Sequence, residues 1–205
     1  MGIVEILGIA GSISLLAGWR LYLTILATGT AMHFGWLPLP DHLAALKVLA
    51  EPWVLGVAAI GTIAEFFADK VAWVDSAWDA IHSFVRPLGG ALLALALVDA
   101  TDPVWQVVAF LLGGGGALLS HGAKATTRAV VNVSPEPFSN VAVSASEDVA
   151  TGGLLALAIA FPALAIGIAI LLAIAAIAVI WLLGRLLRNI RRALDPAPAS
   201  SSEAG

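Results

Sequence analysis

Of 205 residues, 60% are hydrophobic and only 12% are charged, with a mean hydropathy of +0.97; an ordinary soluble domain carries ~25% charged residues. A chain this short has no core large enough for so much apolar surface, which excludes a water-soluble globular fold and makes lipid the solvent for much of it. The net charge of −4 matters less than where the charges sit, and the absence of cysteine excludes a disulfide framework, a thiolate metal site and a cysteine nucleophile.

The opening MGIVEILGIAGSISLLAG has no basic n-region and one early charge, Glu5, so it reads as membrane domain and not as a signal peptide. Residues 3–17 are apolar, GWR interrupts them, and 21–37 resume the run. Residues 53–68 form a second run, with Glu65 near its end. Residues 88–98 are apolar but short unless the amphipathic stretch from Ser76 extends them. Residues 104–119 lead into SHGAK, 149–161 reach FPAL, and 163–184 make the one unbroken span. Crossing the hydrocarbon core takes roughly 20 apolar residues, so most of these segments are short or broken. Broken backbone at membrane depth requires surrounding protein or a wet cavity. The expected fold is an all-α, polytopic membrane helical bundle in a single domain over 1–194, with 195–205 a disordered tail rich in Pro, Ala and Ser.

Two halves, about 1–99 and 104–194, share an order of features. GSISLLAGWR and GGALLSHGAK place Gly11, Gly18 and Arg20 against Gly115, Gly122 and Lys124. Each is followed by a P-x-P, at Pro38/Pro40 and Pro135/Pro137, and then by acids, Glu65/Asp69 and Glu147/Asp148. Three crossings per half (3–36, 52–69, 77–98; 104–131, 141–161, 163–184) give six in all and relate the halves by inversion. A single helix over 150–184, kinked at Pro162, gives five. With both termini inside, Lys70, Lys124, Arg128 and the cluster Arg185, Arg188, Arg191 and Arg192 fall on the inner side. Outside lie only Lys47 and the acids Asp41, Glu51, Asp99 and Asp102. That asymmetry satisfies the positive-inside tendency and puts the C-terminus on the cytoplasmic side.

Charge is concentrated in EFFADKVAWVDSAWDAIHSFVRP, residues 65–87. Asp75, Asp79, His82 and Arg86 are spaced i, i+4, i+7, i+11 and fall in a wedge of about 60° on a helix. Glu65 and Asp69 form another i, i+4 pair, with Thr62 a turn earlier and Lys70 free to neutralise a carboxylate. An ionised group at bilayer depth costs ~3 kcal/mol on insertion scales, so such a cluster must pair, bind ions or line water. Three readings stay open. Asp75, Asp79 and His82 could hold a divalent cation or protons, His82 titrating near neutrality. The acids could instead form a structural salt-bridge network with Arg86 and Lys70 at the membrane boundary. Or D-x3-D beside a base could hold a metal diphosphate in an enzyme acting on a phosphorylated lipid, although the rest of that signature is missing.

Arg20 sits in an apolar stretch between Gly18, Trp19 and Tyr22, where it either snorkels to the interface or serves as a buried counter-ion or anion ligand. GGGG at 113–116 lacks the spacing of a phosphate loop and suits close helix packing. The polar stretch 124–148 offers Thr126, Thr127, Asn132, Ser134, Asn140, Ser144 and Ser146 as a hydrated path or as helix caps. His33, His42 and His121 show no ligand spacing and are expected at interfaces, and no Ser/His/Asp arrangement is present. RLLRNIRR, with its four arginines, suits anionic lipid head groups and not nucleic acid.

GWRLYLTIL (18–26), residues 65–87, HGAKATTRAVVNVSPEPFSN (121–140) and SASED (144–148) resemble the bacterial membrane proteins catalogued as domain of unknown function 4126. The resemblance implies a bacterial inner (plasma) membrane protein, a membrane topology and the neighbourhood of a site, and supplies no mechanism. That family's usual pattern has Pro where this chain has Ala72. The residues together suggest a transporter or channel-like protein for a small ion or polar solute. Glu65, Asp69, Asp75, Asp79, His82, Glu147 and Asp148 would bind it, and Arg20, Lys70, Arg86, Lys124 and Arg128 would balance charge or contact an anionic group. No cofactor is evident, a divalent cation could be bound, and self-association is compatible with the chain. The alternatives are a non-catalytic scaffold or accessory subunit, and the lipid enzyme.

Overall fold

A computed structural model of the chain describes residues 3–36, 47–96, 103–132 and 138–194. Their secondary structure is helical throughout, without a strand: α1 (Ile3–Trp19), α2 (Leu21–His33), α3 (Pro52–Ala68), α4 (Ala72–Ala96), α5 (Pro103–Val131), α6 (Phe138–Ala160) and α7 (Pro162–Leu194). Both P-x-P motifs, His42, Asp41, Asp99, Asp102, Ser134 and the tail 195–205 lie outside the described residues.

Proline sets three of the helix starts. Pro52, Pro103 and Pro162 each open a helix, where the missing N–H costs nothing because the first amides have no partner within the helix. Ala72 opens α4, a helix start at which a proline would also be tolerated. At Pro162 the break is a single residue, Phe161, and α6 and α7 are separate helices.

The segment expected as one crossing over 3–36 is instead two helices, and the chain turns back at Arg20. The Arg20 N–H still bonds the Leu16 carbonyl, at 2.8 Å, and its own carbonyl accepts from Thr24 at 3.0 Å. Between those bonds its backbone leaves the helical region (φ −139°, ψ 81°). Neighbouring contacts give the direction of each helix. Gly8 and Gly11 of α1 face Ile166 and Ala169 of α7, so those helices run parallel. Residues 144–148 of α6 meet Arg20, and α6 ends where α7 begins, so α6 runs back toward the start of α1. Gly152, Leu155 and Ala160 then lie beside Leu23, Ala27 and Trp36, so α2 runs back with α6. Gly29 faces Leu49 and Leu55, and Gly61 faces Tyr22, which makes α3 antiparallel to α2.

At the centre, α1 and α5 pack in parallel: Gly18 rests on Ala117 and Ser120, and Ser120 Oγ donates to the Leu15 carbonyl at 2.6 Å. α4 runs against α5, with Gly90 on Gly113 and Ala117. The bundle is all-α as expected, but its halves do not follow the inverted plan. The extra reversal at Arg20 puts four helices before α5, so α1 and α5 point the same way.

α5, Phe138–Ala158 within α6 and Ala163–Ala193 within α7 are long and apolar enough to cross a membrane, while α1 and α3 are shorter apolar helices. The bundle is inside-out. Trp53, Ile60, Phe67, Ile81, Phe84, Leu171, Ile174 and Trp181 are exposed, and Arg20, Asp69, Arg86, Lys124 and Arg128 are buried. A soluble protein rarely exposes so continuous an apolar coat. This is a membrane-embedded protein.

Candidate functional site

The buried charges converge at one end of the α1–α5 pair. α1 delivers Arg20 at its broken end. α3 delivers Glu65 and Asp69 one turn apart, at its last turn and C-cap. The turn 69–71 leads into α4, whose inward stripe carries Asp75, Asp79, His82 and Arg86. α5 adds His121, Lys124 and Arg128, and α6 adds Asn140, Ser144, Glu147 and Asp148.

Asp69, with no exposed surface, lies at the centre. Its Oδ2 accepts from Arg20 Nη1 and from Lys124 Nζ at 2.8 Å, with Arg128 Nη2 at 3.7 Å. Arg20 and Lys124, paired in the sequence repeat, thus meet on one carboxylate. Arg20 also reaches Glu147 (3.4 Å), Asp148 (3.1 Å) and the Ser144 carbonyl (3.0 Å). It is a buried counter-ion, and the snorkelling alternative does not hold. Arg128 clamps α5 to α6 by donating to Asn140 Oδ1 at 2.7 Å and Glu147 Oε2 at 2.8 Å. Arg86 bridges Glu65 (2.6 Å) and Asp79 (3.0 Å), and Lys124 stands 3.8 Å from Asp79.

Both buried histidines are hydrogen-bonded through both ring nitrogens. His82 Nδ1–H donates to the Trp78 carbonyl at 2.7 Å, and its Nε2 shares a hydrogen bond with Tyr22 Oη at 3.1 Å. His121 Nδ1 accepts from Arg86 at 2.6 Å, and its Nε2–H donates to Ser83 Oγ at 3.0 Å. His121, which must accept from the Arg86 guanidinium, is neutral. The fully enclosed charges are then four cations (Arg20, Arg86, Lys124, Arg128) against five carboxylates (Glu65, Asp69, Asp75, Asp79, Glu147). At the rim, half-buried Lys70 and Asp148 add one charge of each sign. With His82 neutral and every one of these carboxylates ionised, the enclosed hub carries one negative charge in excess. Asp75 is the least neutralised member: Asn132 Nδ2 donates to it at 3.2 Å, its nearest cation is Arg128 Nε at 4.0 Å, and its Oδ1 has no hydrogen-bond partner.

The suggested metal trio does not assemble. Asp75 faces Arg128 and Asn132, Asp79 faces Arg86 and Lys124, and His82 faces Trp78 and Tyr22. Among the described residues no three His, Asp or Glu side chains are grouped as metal ligands would be. The expected polar path also divides. Asn140 and Ser144 are buried parts of the hub, while Thr126 and Thr127 bond carbonyls of their own helix and Ser146 is exposed. His33 is exposed, whereas His121 is buried in the hub. Its signal was the spacing 121, 124, 128, which puts it on one face with Lys124 and Arg128. Tyr22 and Ser83 were missed as hub residues. Two apolar cavities, about 310 and 540 Å³, are lined by none of the hub charges.

The family model described as domain of unknown function (DUF4126) matches residues 7–182, which contain every hub residue. The chain belongs to that family. No curated protein and no solved structure matches this DUF4126 member.

Proposed function

We propose that this DUF4126 protein carries a proton or another small cation across the plasma membrane, and that Asp75 is the carboxylate that takes it up. The excess negative charge of the hub carries the reading. Five buried carboxylates share four cations, and an uncompensated charge at membrane depth is costly enough to demand a proton or an ion. A polar solute coupled to that cation would meet Arg20, Arg128 and Asn140 at the same end of the bundle. α7 runs on from the hub's level, where Ile180 faces Gly122, to Arg185, Arg188, Arg191 and Arg192. Those arginines suit anionic head groups of the cytoplasmic leaflet, which supports a hub near the cytoplasmic boundary and a C-terminus inside.

A scaffold role is the second reading, favoured by the pairing of the other enclosed charges. Proteoliposomes loaded with a pH- or ion-sensitive dye separate the two. Imposed gradients of H⁺, Na⁺, K⁺ and Mg²⁺ are expected to dissipate faster for at least one ion than in protein-free vesicles. If all four gradients decay as they do in empty vesicles, the transport reading is wrong and the scaffold reading stands.

A further inference from the structure

A second polar feature leads away from the hub. Thr62, Ser83, Thr126 and Thr127 each donate to the carbonyl four residues back in their own helix, which is where a helical hydroxyl usually rests. Thr24, Thr28 and Thr151 do not. They are 0%, 1% and 0% exposed, and their hydroxyls have no hydrogen-bond partner. A buried hydroxyl without a partner is destabilising, so three of them on two helices that leave the hub require an explanation.

Their positions supply it. Thr24 is one turn beyond Arg20 on α2, and Thr151 is one turn beyond Glu147 on α6. Arg20 and Glu147 are in contact at 3.4 Å, and the two helices run in the same direction from that contact. The two threonines therefore occupy the next turn of each helix, and Thr28 lies one turn further along α2. Four residues of helix rise about 6 Å, a gap that one water closes with two hydrogen bonds of ~2.8 Å. Buried, apolar Ala31, Met32 and Leu155 follow along the same helices.

We infer that the α2–α6 seam binds a file of water, held by Thr24, Thr151 and Thr28, that extends the hub two turns into the bundle. Water is the class of ligand that satisfies isolated hydroxyls at this spacing. Under the transport reading, on which only its role in flux rests, the file is the half-path on the side of the hub away from the cytoplasm, by which the cation or proton reaches or leaves the hub.

The chain contains no cysteine, so each position can be probed by a single thiol. In Thr24→Cys, Thr28→Cys and Thr151→Cys proteins, the infrared S–H band should convert to S–D soon after transfer to D₂O. An Ala17→Cys control, in the dry core of α1 with 0% exposure, should keep its S–H. Three seam thiols as protected as the control would overturn the inference, whatever the flux. Val at the same positions keeps the shape and removes the hydroxyl. If wild type conducts, the Thr24→Val/Thr151→Val protein should lose about tenfold or more of that flux with a melting temperature equal or higher, and Ser at both positions should retain it. Unchanged flux in the Val variant would refute the half-path. A wild type that conducts nothing would refute the transport reading and leave the exchange result to decide the water file.

Discussion

Arg86 shows what a single buried charge does in this protein. It has no exposed surface and holds two carboxylates from different helices, Glu65 at 2.6 Å and Asp79 at 3.0 Å, while donating to His121 at 2.6 Å. Removing one partner of a buried pair leaves the other desolvated, at a cost of about 3–5 kcal/mol. Arg86→Ala should therefore lower stability by about that amount in chemical denaturation of the detergent-solubilised protein. The double change Glu65→Leu/Arg86→Met removes both charges of that pair and should be the more stable of the two, because well-packed apolar replacements of buried pairs are often neutral. A double variant as unstable as the single one would mean that Arg86 acts through Asp79 and His121 instead.

At the scale of helices, small residues set how closely the central pair can approach. Gly18 of α1 lies on the Ala117 carbonyl and Ser120, and Gly113 of α5 lies against Gly90 and Ala94. A methyl at either position overlaps backbone that cannot move alone, whereas at Gly115 it meets nothing within 4 Å. Gly18→Ala and Gly113→Ala should each destabilise by about 1–3 kcal/mol. Gly115→Ala should be neutral or stabilising by up to ~1 kcal/mol, because alanine is the better helix former. Melting of the three variants side by side checks this, and equal losses would contradict the packing. The sequence pointed to GGGG as a packing motif but not to which glycines are in contact, since that depends on the rotation of α5 against α1 and α4. It marked the GWR interruption but not the reversal. One non-helical residue changes the direction of the chain, and hydropathy carries no trace of direction.

For the whole molecule, much of the hub was readable beforehand. The i, i+4, i+7, i+11 stripe from Asp75 to Arg86 needs only helical periodicity, and lipid outside forces such a stripe inward. Arg20 and Lys124 stood out as bases in apolar runs. What could not be read was the convergence of five helices, which brings Arg20 and Lys124 onto Asp69 and separates Asp75, Asp79 and His82 among different partners. The threonine seam was equally hidden, because single hydroxyls in apolar helices are common and only lost back-bonding and full burial distinguish these three. The central claim is that the hub has one carboxylate too many for its cations and that Asp75 uses it to take up a proton or cation. The most direct measurement is flux through reconstituted Asp75→Asn protein beside wild type and Asp75→Glu, with melting temperatures recorded for all three. The account predicts that Asp75→Asn melts no lower than wild type, since it removes the excess charge, yet loses flux by about tenfold or more, and that Asp75→Glu keeps part of it. An Asp75→Asn protein that folds normally and conducts as well as wild type would contradict it.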